Sequence, residues 1–151
     1  MASTITASTL KVQIIEEIEL NDVKRGARQY HTFSNIKQID ERVLTVPTHE
    51  VDVLLLSSSA GAGTYASGSF KYARLTNLDD TNYVSVTLLS GSDGSKSVQK
   101  LPAKTSMMLT SLSLSGSSAG VTFGSFSDIT AVKASANSAA VDLSLFVATT
   151  G

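Results

Sequence analysis

The chain has 151 residues, a net charge of −1, and neither cysteine nor tryptophan. That length suits one domain with one core, and 42% hydrophobic residues bring enough apolar surface to offset chain entropy, which excludes a fully disordered chain. Disulfides, cysteine-ligated zinc and thiol chemistry are excluded, and the balanced charge offers no broad basic face for duplex nucleic acid.

Residues 1–8, small and polar, read as a flexible or partner-bound arm ahead of a domain over residues 9–151. They lack the charged-then-apolar pattern of a signal peptide, and no segment approaches the ~18 apolar residues of a membrane helix. Leu10, Val12 and Ile14 alternate with Lys11 and Gln13, the period-2 signature of a half-buried strand. The pattern slips at Ile14-Ile15 and resumes at Ile18 and Leu20, which predicts a β-bulge. Asn21-Asp22 opens a charged turn through Lys24, Arg25 and Gly26. Strands follow over residues 29–34 and 36–46, the latter ended by Pro47, and over 51–56, where both faces are apolar.

Residues 57–69 form a Gly/Ser-rich loop. Residues 70–76 and 83–89 then predict two strands of a hairpin around a turn of residues 77–82. Further short strands are expected over 97–101, 105–114, 121–126 and 127–134. The last runs to Val147, with Val141, Leu143, Leu145 and Val147 facing one way and Phe146 the other. The pattern predicts an all-β, single-domain antiparallel β-sandwich, jelly-roll-like, with a short N-terminal arm.

Charge is uneven: residues 1–50 carry 13 charged side chains, residues 101–151 only four (Lys104, Asp128, Lys133, Asp142). The neutral, hydroxyl-rich portion suggests either a face that packs on a partner or a sandwich with serines and threonines outside.

Catalytic and cofactor motifs fail on context. Gly61, Gly63 and Ala66 match G-x-G-x-x-A, with Asp79 and Asp80 near the offset of a ribose-binding acid. Pyrophosphate binding needs a helix to begin at those glycines, whereas a strand pattern follows. Gly116, Ser118 and Gly120 match G-x-S-x-G, but His31 and His49 both precede the serine, against the order that motif requires. His49 with Glu50 and Asp52 offers a cation some ligands, yet the segment reads better as a surface turn after Pro47. Asn77, Asp79, Asp80 and Asn82 offer oxygen ligands without the glycine and glutamate of an EF-hand loop, and self-capping of the turn is the preferred account. No catalytic, metal or cofactor-binding residue is therefore assigned, and no enzyme is expected.

Two features are candidate interface elements. Lys24, Arg25 and Arg28 form a basic cluster balanced by Glu16, Glu17, Glu19 and Asp22, which reads as a solvated loop or as an ionic contact to an acidic partner. Phe146 is an exposed apolar anchor if its face is open, and core if both faces of its strand are covered.

Residues Tyr72 to Val86 (YARLTNLDDTNYVSV) resemble a hairpin of small virion proteins of tailed phages, marine ones included. The opening Met1 to Ser8 followed by a strand with Glu16, Glu17 and Leu20, and the close from Ile129 to Ala134 ahead of Val141–Val147, are similar to the same group. The resemblance implies a head decoration or cement protein, often a homotrimer, that binds the major capsid protein on the outer surface of the head. It transfers no functional residue by position. A protein assembled in the host cytoplasm and released by lysis would combine an extracellular-looking composition with no export signal. Alternatives are a tail, fibre or connector component, and a host-glycan-binding sandwich, which the lack of tryptophan disfavours.

Overall fold

The computed structural model describes residues 4–61, 63–91, 94–115 and 127–151. The expected strand over 121–126 and the Gly116–Gly120 motif lie outside these residues. The described chain is almost wholly β. Its strands are β1 (Ser8–Ile15), β2 (Ile18–Leu20), β3 (Val23–Arg25), β4 (Arg28–Ile36), β5 (Gln38–Val46), β6 (Val51–Ser57), β7 (Thr64–Ala66), β8 (Phe70–Asn77), β9 (Val84–Ser90), β10 (Lys96–Leu101), β11 (Ser106–Leu109), β12 (Ser113–Leu114), β13 (Ser127–Ala136) and β14 (Val141–Thr149).

Alternating apolar residues force two sheets to stack. One runs β10-β9-β13-β6-β7, with β12 also paired to β13; the other runs β11-β8-β14-β5. Both are antiparallel except where β7 lies parallel to β6. Val84 and Val86 of β9, Val132 and Ala134 of β13, and Leu54 and Leu56 of β6 meet Leu75 of β8, Val46 of β5 and Val141, Leu143, Leu145 and Val147 of β14 in one core. Each of these side chains is at most 5% exposed, so none can become polar without desolvation cost.

The charge-poor C-terminal third is explained by this placement. Strands β13 and β14 are interior strands of their sheets, flanked on both sides. Their long apolar faces suit burial, and the charges they do carry, Asp128, Lys133 and Asp142, alternate with those faces, with Lys133 paired to Asp52 at 3.1 Å.

Successive strands mostly change sheet. The expected hairpin of residues 70–89 is not a paired hairpin. Strand β8 pairs with β14 and β11, whereas β9 pairs with β10 and β13. The turn between them arches from one sheet to the other. Alternation told correctly that each strand has a core face, but a period-2 pattern carries no information about which strand lies alongside. The stretch 105–114 likewise divides, β11 joining one sheet and β12 the other.

Asn77 fixes the β8–β9 arch. It is fully buried, and its Nδ2 donates to the carbonyls of Asn82 at 2.9 Å and Leu101 at 3.1 Å. Its Oδ1 accepts from the Asp79 amide at 2.9 Å. Asp79 Oδ2 in turn accepts from the amides of Asn82 at 2.7 Å and Thr81 at 3.2 Å. The Asn82 amide, then that of Thr81, hold the Asp79 carboxyl below its ordinary pKa. Lys104 Nζ closes the outside, 2.8 Å from Asp80 and donating to the Leu78 carbonyl at 3.1 Å. Asn77 Oδ1 and Asp79 Oδ2 are thus taken up by amides of the turn itself, while Asn82 Oδ1 accepts from Ser138 Oγ at 2.8 Å.

Replacing Asn77 with Ala leaves two carbonyls and one amide without their partner. The expected loss is about 3–5 kcal/mol, since a fully buried unpaired polar group costs about 1–3 kcal/mol and two of these three bonds are only part-buried. Urea unfolding should show a lower midpoint at unchanged slope.

Candidate functional site

Residues 8–36 build the feature that sets this fold apart from a plain sandwich. Strands β1 and β4 pair antiparallel, as do β2 and β3. Leu10 lies opposite Phe33, Val12 opposite His31, Ile15 opposite Arg28, Ile18 opposite Arg25 and Leu20 opposite Val23, all in one register. The four strands are therefore one long ribbon. The bulge expected at Ile14-Ile15 is absent; the register shift in this pair falls between Ser8 and Leu10. Ile15 is simply an apolar residue on the opposite face.

Two local devices shape the ribbon. Asn21 (φ 49°) and Asp22 (φ 61°) form its two-residue tip. Positive φ at both positions is what a type I′ hairpin demands, and asparagine and aspartate tolerate it best after glycine. Further down, ladder pairing lapses at residues 16–17 and 26–27, where the Glu16 amide still donates to the Ala27 carbonyl at 2.9 Å. Gly26 sits there at φ 119°, and a Cβ on it would lie 1.9 Å from the Glu16 carbonyl oxygen. Only glycine fits.

Strand alternation places Leu10, Val12, Ile14, Ile18 and Leu20, with Val23 and Phe33 across from them, on one face. The near end of this stripe is occupied. Leu10, Val12 and Phe33 pack on Ile36, Tyr72, Phe146 and Ala148, a second core on the outer face of the β11-β8-β14-β5 sheet. The Phe33 and Tyr72 rings lie 5.4 Å apart and those of Tyr72 and Phe146 6.1 Å apart, edge to face. Burial raises the Tyr72 phenol above its ordinary pKa, and the nearby Arg74 charge opposes this. Phe146 is thus half-buried beneath the ribbon, and the open-anchor expectation for it gives way to the core one.

The far end is bare. Every residue from 15 to 32 is exposed. Ile18 is 53%, Leu20 55% and Val23 49% exposed, and on the other face Ile15 is 51% and Tyr30 66%. At ~3.3 Å per residue the free segment extends about 25 Å beyond Val12. Lys24, Arg25 and Arg28 all lie on it, opposite Glu19, Ile18 and Ile15 in turn. All three are exposed and none joins an ion pair among those described, so within one copy their charges face solvent.

The remaining candidates do not assemble. His31 borders an apolar cleft of about 320 Å³ with Val12, Phe33, Tyr72, Met108 and Thr110. His49 is exposed in the bend after Pro47. Among the described residues no three His, Cys, Asp or Glu side chains converge as metal ligands. Gly61 and Thr64 exchange backbone hydrogen bonds of 3.0 and 3.1 Å and lead into β7, so a strand and not an α-helix follows the glycines.

A polar clasp lies where β5 and β7, edge strands of opposite sheets, approach each other. The Tyr65 hydroxyl donates to Asp40, whose carboxylate lies 3.5 Å from Arg42 Nε. Arg42 Nη2 donates to the Val53 carbonyl at 3.1 Å. Sequence inspection missed this cluster because its members come from three strands. Burial, then the hydrogen bond to Asp40, push the Tyr65 phenol up to about 12. Its geometry is that of a structural tie between sheets.

Comparison with protein-family models, curated proteins and solved structures finds no match.

Two outcomes are expected. Gly26→Ala should loosen the ribbon selectively, seen as faster amide exchange over residues 16–27 with core strands unchanged. The Tyr65 tie should make stability fall with alkali. A phenol whose pKa is raised by folding contributes fully below the unfolded value near 10 and loses that contribution as pH climbs toward about 12. Tyr65→Phe should cost about 1 kcal/mol at neutral pH and abolish that part of the alkaline decline.

Proposed function

We propose that this chain is a phage virion structural protein, a capsid decoration or cement protein that stabilises the head shell through contacts with the major capsid protein. The observation that carries this reading is the free half of the ribbon. A solvent-exposed arm with Ile15 and Tyr30 on one face and Ile18, Leu20 and Val23 on the other has two faces to dock with, since isolated apolar side chains are common but a contiguous set on a two-stranded projection is not. The Ile15 and Tyr30 face is the one that meets the shell in this reading. Adhesion needs exposed surface rather than a cleft, and the arm supplies it. Several weak footholds on adjoining shell subunits would add up through avidity. The strand order also supports the jelly-roll reading. The eight main body strands form β11-β8-β14-β5 against β10-β9-β13-β6, and of the consecutive ones only β9 and β10 share a sheet as neighbours.

A tail or connector component is the second reading, favoured by the same arm, which suits linkage between neighbours in a ring. Imaging particles with and without the protein separates the two. Added density on the outside of the head, lost when Tyr30→Asp is used, is the expected result. Density confined to the neck or tail would transfer the protein to the second reading, and particles lacking the chain altogether would end both.

A further inference from the structure

We propose that the free half of the ribbon docks on strand β5 of a second copy of this chain, so that copies join head to tail. It does not rest on the head-decoration reading, which draws on the opposite face of the ribbon with Ile15 and Tyr30, and the purified chain alone tests it.

The ribbon's near end, through Leu10, Val12 and Phe33, lies on the outer face of the β11-β8-β14-β5 sheet. The far end continues the same stripe in the same register with Ile18, Leu20 and Val23, and these lie open. Among the described residues, the apolar cover on that face falls over Tyr72, Phe146 and Ala148. Beyond them, on its β5 side, register places Ile39 beside Ala148 and Glu41 beside Phe146, with Val43 two residues on, all on the outer face. Ile39 is 63% and Val43 61% exposed. Donor stripe and acceptor strip are thus separate parts of an interface type the chain has already formed once. Within one copy both stay bare, so they do not satisfy each other.

Charge fits the same pairing. The acceptor strip reads apolar, acidic, apolar through Ile39, Glu41 and Val43. The donor stripe carries Arg25 beside Ile18, directly across the ribbon. Neither Arg25 nor Glu41 has an ion-pair partner among the described pairs. Among the described strands β5 is also the edge of its sheet. Since donor and acceptor patches differ, each copy gives one and receives one, and the contact propagates until it closes.

Sedimentation velocity of the purified full chain, with circular dichroism as the fold control, decides the matter. The wild-type chain should sediment as an oligomer. Leu20→Asp, which destroys the donor, and Val43→Asp, which destroys the acceptor, should each sediment as folded monomers. Mixed together, they should form a one-to-one pair and nothing larger, because one intact donor then meets one intact acceptor. A wild-type monomer across the micromolar range overturns the proposal. So does an oligomer that survives either substitution, or a mixture that stays monomeric. Should either aspartate variant lose its strand signal, Ile18→Ser and Ile39→Ser take their places with the same outcomes required.

Discussion

The two faces of strand β14 must both be covered, and the rest of the molecule is arranged around that demand. Val141, Leu143, Leu145 and Val147 face the opposing sheet and are at most 1% exposed. Phe146 and Ala148 face the other way, toward the ribbon. A strand with two apolar faces cannot lie at the surface of a plain sandwich without leaving one face wet. The chain meets this with three layers: one sheet, a second sheet that contains β14, and a two-stranded ribbon laid over it. The ribbon's near end is therefore structural, which is why a contiguous apolar stripe is there at all, and its far end extends the same stripe past the body.

The linkages between layers are polar and few. At one end Asn77 and Asp79 hold the arch from β8 to β9 by saturating amides and carbonyls that a buried turn would otherwise strand. At the β5–β7 edge, Tyr65, Asp40 and Arg42 tie one sheet to the other. These are the places where a loop or an edge passes between sheets and cannot rely on ladder hydrogen bonding.

Strand positions were readable from the residues because alternation is a local consequence of the pleat. Val141 to Val147, Val84 and Val86 declared their core face directly. The turn of residues 77–82 was also legible, since asparagine and aspartate cap their own backbone whatever surrounds them. Partnership between strands was not. Strands β8 and β9 are adjacent in sequence and look like a hairpin, yet belong to different sheets. The ribbon was hidden for another reason. Ile15 on the second face and Glu16-Glu17 mid-strand blur the alternation, and only the constant pairing from Leu10 with Phe33 to Leu20 with Val23 restores it. The basic cluster at Lys24, Arg25 and Arg28 was visible as charge, but its position on a projecting arm depends on the turn at Asn21-Asp22 and on the platform under Phe33. The Tyr65 clasp could not be anticipated, because it joins residues 40, 42 and 65 through tertiary folding alone.

The order in which the ribbon and its platform leave the ribosome has a consequence for biogenesis. Residues 8–36 can close a hairpin as soon as they emerge, since the tip needs only its own two residues. The surface that receives Leu10, Val12 and Phe33 includes β14, synthesised last among the strands. A two-stranded hairpin without a platform is marginal in water. Throughout translation the nascent chain therefore displays a greasy, half-stable finger with nothing beneath it, and chaperones or neighbouring nascent chains on the same message meet that finger before its own body does.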